Sequence, residues 1–131
     1  MTVLDTHILI WCIDSPQKLS RKAKKAIDEE KVHKGILVSS ISVFEIYLLI
    51  KKGKLVLKDY PDIWLEKLEA LPFIEFIPVD NRIAAHSVNL PDFLHKDPAD
   101  RIIIATALQN GASLVTGDKR ILEYPNVQTI W

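Results

Sequence analysis

The stretch DPADRIIIATALQNGASLVTGD, residues 97–118, indicates how this chain is built. Asp97 is predicted to be a helix N-cap, and Pro98 occupies the first helical position, where its missing N–H costs nothing. An apolar segment follows and ends at Gly111, a residue typical of the position just past a helix. SLVTG then reads as a short strand, so a central helix leads directly into a strand, as in α/β proteins.

The same alternation of strand and helix continues along the whole chain. Strands are predicted at residues 2–5, 35–40, 74–79, 113–117 and 127–131. Helices are predicted at residues 7–13, 20–31, 42–53, 61–71, 80–89 and 97–111. We therefore expect an α/β fold, with a mainly parallel sheet flanked by helices, in a single domain that spans residues 1–131.

Composition limits the classes of function. The chain has 131 residues, 17 basic and 17 acidic, so its overall charge gives no strong electrostatic argument for nucleic acid. Cys12 is the single cysteine, which excludes an internal disulfide and favours a reducing compartment. No apolar run is long enough to span a membrane, and no signal peptide is evident, so we expect a cytoplasmic protein.

Two aspartates follow predicted strands. Asp5 comes directly after TVL, and Asp118 follows SLVTG. Open α/β sheets bind ligands beyond the carboxyl ends of their strands, so both positions are candidates for a site. Each also has a purely structural interpretation, in which Asp5 caps the next helix and Asp118 caps the KRILEY segment after a turn.

Glu45 lies among apolar residues in the predicted helix 42–53. Its neighbours three and four residues away are mostly of the core type, which predicts that its side chain lies on the apolar face. A carboxylate there needs a partner, a raised pKa or a cation. The alternative is a glutamate at the edge of the apolar face whose carboxylate reaches water.

Asp97 and Asp100 share the first turn of the helix quoted above, where the helix dipole favours anions, so capping alone explains both. Taken together with Asp5, Glu45 and Asp118, however, they predict a cluster of like charges. Such charges raise one another's pKa and destabilise the fold. A divalent metal removes that cost, and a set of carboxylates without a histidine or cysteine cluster suits Mg²⁺ or Mn²⁺.

At these residues the chain resembles the PIN-domain ribonucleases, and more closely the VapC-type toxins of toxin–antitoxin pairs. The resemblance rests on four motifs in order, VLDTHILIW, SSISVFEI, DRIIIATAL and LVTGDKRI. They correspond to Asp5, Glu45, Asp100 and Asp118. Each motif is weak alone, whereas four in order at fitting spacing are specific.

The resemblance implies a PIN-like three-layer sandwich and a Mg²⁺- or Mn²⁺-dependent RNA endonuclease, with a cognate antitoxin as partner and a homodimer as assembly. It assigns the four acids to the metal and a metal-activated water, not the ribose 2′-OH, to the attack, so the product should carry a 5′-phosphate. Lys119 or Arg120, or a metal, would neutralise the charge on the departing oxygen.

Three further polar residues have secondary roles in this interpretation. Spacing to ATAL favours Asp100 over Asp97 as the metal ligand, which leaves Asp97 as mainly a cap that reaches the metal through water. Thr116 and Ser42 lie beside acids and are candidates to orient a water or the scissile phosphate, although local turn bonding is the alternative, more so for Ser42.

Two other classes of function stay open. One is a PIN-like scaffold that binds RNA or a partner without cutting it. The other is an aspartate-based phosphatase, which would also begin with an aspartate after the first strand but requires a second acid two residues later. That position is His7 here, which counts against a phosphatase. His33, His86 and His95 share no ligand spacing, and His7, a lone imidazole near a strand end, is expected to be a packed side chain.

Overall fold

The computed structural model describes residues 1–92 and 95–131. Within them, five strands form one parallel sheet in the order β3-β2-β1-β4-β5. These strands are β1 (Thr2–Leu4), β2 (Ile36–Ser39), β3 (Ile74–Ile77), β4 (Ser113–Val115) and β5 (Thr129–Ile130). Chain order runs outwards from β1 on both sides, so the topology reverses between β1 and β4, where sheets of this kind bind ligands.

Six helices lie between the strands as predicted from the sequence, and a short seventh helix follows Asp118. They are α1 (Thr6–Asp14), α2 (Arg21–His33), α3 (Ser40–Lys51), α4 (Pro61–Glu69), α5 (Asn81–Val88), α6 (Pro98–Gln109) and α7 (Lys119–Leu122), with a 3₁₀ turn at Pro16–Lys18. The strands end earlier than predicted. In particular, Asp5 is not the last residue of β1 but the N-cap of α1, because its side chain accepts a hydrogen bond from the backbone N–H of Thr6.

Both faces of the sheet are buried, so the expected three-layer arrangement is confirmed. On β1, Leu4 belongs to a core cluster with Leu9 of α1 and Ile27 of α2. Val3 faces the opposite way and belongs to a second cluster with Ile103 of α6. Successive strand residues therefore alternate between two cores, as in a parallel sheet covered on both sides.

Helix α6 is central, as its apolar composition predicted. Seven of its residues are buried, including Ile103, Ile104 and Ala107, which are 0% exposed. Gly111 follows the helix with φ of 60°, a left-handed conformation that glycine adopts without strain. The helices in the described part of the chain are all too short or too polar to cross a membrane.

Candidate active site

Asp5 lies at the centre of the candidate site, just past the carboxyl end of β1. Its Oδ1 accepts a 2.8 Å hydrogen bond from the backbone N–H of Thr6, and its Oδ2 accepts a 2.7 Å hydrogen bond from Oγ1 of Thr116. The residue is 6% exposed, and burial raises the pKa of its carboxyl while the two hydrogen bonds oppose that rise. The capping interpretation of Asp5 is correct, but the carboxylate is also buried where the topology reverses.

Thr116 connects the ends of the two central strands. Its hydroxyl donates to Asp5 and accepts a 3.0 Å hydrogen bond from the backbone N–H of Asp118. Asp118 in turn caps α7, since its Oδ1 accepts a 2.9 Å hydrogen bond from the backbone N–H of Arg120. This cap was the structural alternative for Asp118. The same geometry brings the Asp118 charge near enough to raise the pKa of Asp5.

Glu45 reaches the site from α3 and is held there by Thr6. Oγ1 of Thr6 donates a 2.5 Å hydrogen bond to Oε1 of Glu45 and lies 2.9 Å from Oγ of Ser42. Because the single Thr6 hydroxyl proton goes to Glu45, Ser42 donates the second bond. Glu45 is half-buried. Burial raises the pKa of its carboxyl, and the nearby charges of Asp100, Asp5 and Asp97 raise it further. Glu45 therefore has both the partner and the raised pKa expected from its position.

Asp100 is buried in the first turn of α6, and its carboxyl pKa is well above the ordinary value. It is 9% exposed, and burial, followed by the charge of Asp5, raises its pKa to about 6. The opposing influence is His95, whose Nε2 lies 2.5 Å from Oδ2 of Asp100. The histidines share no ligand spacing in the sequence, yet His95 contacts one of the predicted acids. A loop before α6 turns its side chain back onto the first turn of that helix, which a search for helical ligand spacing does not detect.

Asp97 is the N-cap of α6, as predicted. Its Oδ1 accepts hydrogen bonds from the backbone N–H groups of Ala99 and Asp100 at 2.9 and 3.4 Å. The residue is exposed. Its charge nevertheless contributes to the raised pKa of Asp100 and of Glu45, so it lies at the margin of the same cluster.

The electrostatics of the site fit a divalent cation. Asp5, Glu45 and Asp100 come from three elements, and burial raises the pKa of each carboxyl. Among residues 1–92 and 95–131, no lysine or arginine forms a salt bridge with these three. Carboxylate oxygens are the ligands that Mg²⁺ and Mn²⁺ prefer, so the residues present suit such an ion. Ligand atoms of His95, Asp97 and Asp100 also lie within 4.8 Å of one another.

The two basic residues predicted to contact substrate are both exposed at the start of α7. Nε of Arg120 lies 3.7 Å from Oδ1 of Asp118. Arg120 also lines an open groove of about 660 Å³ beside the acids, whereas Lys119 does not. In the described part of the chain, the other lining residues are Asp92, His95, Lys96, Asp97, Glu123, Tyr124 and Pro125.

Sequence reasoning missed Thr6 and His95 and misjudged His7. Thr6 follows Asp5 directly, and a hydroxyl residue next to a candidate acid was a signal that could have been used. His95 has a weaker signal, because its contact depends on the path of a loop. His7 is exposed, not packed as expected, since the residue after Thr6 lies on the outer side of α1.

Comparison with known proteins places the chain in a family. The sequence model of the PIN domain matches residues 2–127. The chain belongs to the PIN domain family. Ribonuclease VapC22 of Mycobacterium tuberculosis (strain ATCC 25618 / H37Rv) is 34% identical over an alignment that covers 98% of this chain and 97% of that protein. The resemblance inferred from the four motifs is thereby confirmed.

Solved structures agree with the fold. VapBC2 from Rickettsia felis, bound to a DNA fragment from its promoter, has a TM-score of 0.72 at 20% identity, covering 98% of this chain and 96% of that chain. FitAcB from Neisseria gonorrhoeae has a TM-score of 0.69 at 22% identity, with the same coverage. A toxin–antitoxin complex from Klebsiella pneumoniae has a TM-score of 0.62 at 24% identity, covering 95% and 93%. At these identities the likeness concerns the fold alone.

Proposed function

We propose that this chain is a Mg²⁺- or Mn²⁺-dependent endoribonuclease that acts as the toxin of a type II toxin–antitoxin pair. The observation that carries the proposal is the convergence of Asp5, Glu45 and Asp100 where the sheet topology reverses, with the pKa of each raised by burial. Three buried or half-buried acids with no lysine or arginine partner in the described part of the chain are costly unless a cation joins them. The 34% identity to a protein named Ribonuclease VapC22 supports RNA as the substrate.

In this proposal Asp5, Glu45, Asp100 and Asp118 hold the metal. When bound, a divalent ion supplies Lewis acidity, which makes a water nucleophilic near neutral pH and offsets charge on the phosphodiester. The protein's own task is to present the carboxylates ionised and in fixed orientations. Thr116 and Thr6 do this for Asp5 and Glu45, because each hydroxyl donates to one carboxylate oxygen.

The groove beside the acids is the proposed path of the RNA. Arg120 and Lys96 carry positive charge along it and would contact backbone phosphates. Lys119 lies next to Arg120 on the same short helix and is the second candidate for a phosphate contact. A local basic margin of this kind is compatible with the neutral charge of the whole chain, 17 basic against 17 acidic residues.

The test is cleavage of RNA by the purified protein, freed of any antitoxin, with Mg²⁺, with Mn²⁺ and with EDTA. We expect cleavage with either metal and none with EDTA. Asp5→Asn and Asp100→Asn should abolish cleavage, whereas Asp28→Asn, which alters an exposed aspartate on α2, should retain it. A protein that binds RNA tightly but never cuts it would instead be a binding scaffold.

The chemistry of the product ends tests the nucleophile. Attack by water leaves a 5′-phosphate and a 3′-hydroxyl, whereas attack by the neighbouring 2′-OH leaves a 2′,3′-cyclic phosphate. We expect the 5′-phosphate, detected by ligation or by mass spectrometry of a short labelled RNA. A cyclic phosphate would contradict the proposed mechanism even if cleavage depends on metal.

The proposed partners are a cognate antitoxin and a second copy of the chain, in the cytoplasm. Three structural neighbours are described as toxin–antitoxin or VapBC complexes, which supports a protein partner. Exposed apolar side chains on and near α3 and α4, such as Phe44 and Tyr60, offer contact surface. Size-exclusion chromatography with light scattering, with and without the product of a neighbouring small reading frame, measures both assemblies.

A further inference from the structure

His95 and Asp100 form a buried side-chain pair that the four motifs do not include. Nε2 of His95 lies 2.5 Å from Oδ2 of Asp100, and the two side chains are 8% and 13% exposed. A contact this short between an imidazole and a carboxylate is a charge-assisted hydrogen bond. It fixes one oxygen of Asp100, a carboxylate that lies among other acids of the site.

The main chain at His95 is itself held in place. Nη1 of Arg101 donates a 3.0 Å hydrogen bond to the carbonyl oxygen of His95. The same guanidinium donates to the carbonyl oxygens of Ser87 and Val88 at 2.8 and 3.1 Å, at the end of α5. Arg101 follows Asp100 in α6, so backbone and side chain of His95 are both tied to the first turn of that helix.

We propose that His95 is a positioning residue: its Nε2–H donates to Oδ2 of Asp100 and leaves Oδ1 directed to a divalent metal. The inference rests on the proposed metal site. It extends that site beyond the acids, because it assigns a role to a histidine that the motifs do not contain.

Donor and acceptor chemistry excludes Nε2 of His95 from ligating a metal while it makes this bond. An ionised carboxylate can only accept hydrogen bonds, so Nε2 must carry the proton. A protonated ring nitrogen has no free lone pair for a metal. Partners that orient a ligand in this way typically change metal affinity by about 10- to 100-fold when removed.

The experiment measures Mn²⁺ binding by titration calorimetry and by electron paramagnetic resonance, without RNA. The variants are His95→Ala, which removes the donor; His95→Gln, whose amide reaches about as far as Nε2; and His95→Asn, which is one carbon shorter. His86→Ala is the matched control, because His86 is a half-buried histidine that pairs with Gln109 at 2.8 Å, not with an acid. Circular dichroism establishes that each variant is folded.

We expect His95→Ala and His95→Asn to weaken Mn²⁺ binding about 10- to 100-fold, with His95→Gln and His86→Ala within about threefold of the parent. If His95→Ala does not fold, the comparison of His95→Gln with His95→Asn decides the same question. Cleavage by His95→Ala should recover at high Mn²⁺.

Three results would overturn the assignment: unchanged Mn²⁺ affinity in His95→Ala, equal loss in His95→Gln and His95→Asn, or a ¹⁴N coupling of His95 to bound Mn²⁺, which would make it a direct ligand. These outcomes differ from failure of the proposed function. A parent protein that binds Mn²⁺ but cuts no RNA contradicts only the nuclease, since the metal titrations do not depend on cleavage.

Discussion

Replacing Asp100 with asparagine should stabilise the metal-free protein while abolishing its activity. The carboxylate is buried among other acids, and His95 is its only described salt-bridge partner. Asparagine has nearly the same shape, and its side-chain oxygen can still accept the hydrogen bond from Nε2 of His95. The substitution therefore removes the charge and keeps the packing.

The size of the expected stabilisation follows from the raised pKa of Asp100. Burial, and then the charge of Asp5, raises the pKa of Asp100 from 3.8 to about 6. The folded state thus binds more protons than the unfolded state between these values, so stability falls as pH rises through them and the loss is complete above about pH 6. At about 1.4 kcal/mol per pKa unit the full loss is about 3 kcal/mol, and partial access of solvent to the site reduces it to about 1–2 kcal/mol.

The assay is urea unfolding in EDTA at about pH 4.5 and about pH 7.5. We expect the free energy of unfolding of Asp100→Asn to exceed that of the parent by about 1–2 kcal/mol at the higher pH. We also expect the variant to lose less stability than the parent between the lower and the higher pH. Asp28→Asn, at an exposed site, should follow the parent to within about 0.5 kcal/mol. Added Mg²⁺ should stabilise the parent more than Asp100→Asn. Destabilisation of Asp100→Asn at the higher pH, or an unchanged pH dependence, would refute the reasoning.

Three further changes test other parts of the site and the fold. Asp5→Asn should eliminate metal-dependent cleavage and also raise the metal-free stability at neutral pH, because burial raises the pKa of that carboxyl; full activity in an RNA assay would remove it from the metal ligands. Thr116→Val should cost about 1–2 kcal/mol in urea unfolding and weaken Mn²⁺ binding, while Thr116→Ser restores both, since only the hydroxyl holds Oδ2 of Asp5. Asp14→Ala should lower the free energy of unfolding by about 1–3 kcal/mol, because it leaves Nε1 of Trp64 and the backbone N–H of Lys58 without their acceptor. The specific activity of the folded fraction should stay unchanged, and a loss of that activity would place Asp14 in the site.

The arrangement of helices and strands was predictable because it depends on local patterns. The apolar run of α6, Asp97 before it and Gly111 after it define a buried helix without any knowledge of the rest of the chain. Strand limits were less predictable. Asp5 can extend a strand or cap a helix, and the hydrogen bond to the N–H of Thr6 decides in favour of the cap.

The candidate site divides into a part that the sequence reveals and a part that it does not. Asp5, Asp97 and Asp118 are N-caps, a role that can be read from a few neighbouring residues. Thr6 and Glu45 are 39 residues apart in sequence, and nothing in either segment indicates that their side chains meet. Contacts of this kind depend on how α1 packs against α3, so only the folded chain reveals them.

This division explains how the acids are held in position. In Asp5, Asp97 and Asp118 the capping bonds all use Oδ1, and a carboxylate has a second oxygen, so capping a helix does not prevent a residue from binding metal. Glu45 and Asp100 cap no helix and cannot be oriented in that way. Each is instead held by one side chain, Thr6 for Glu45 and His95 for Asp100. The two residues that sequence reasoning missed are therefore the partners of the two acids that no cap secures.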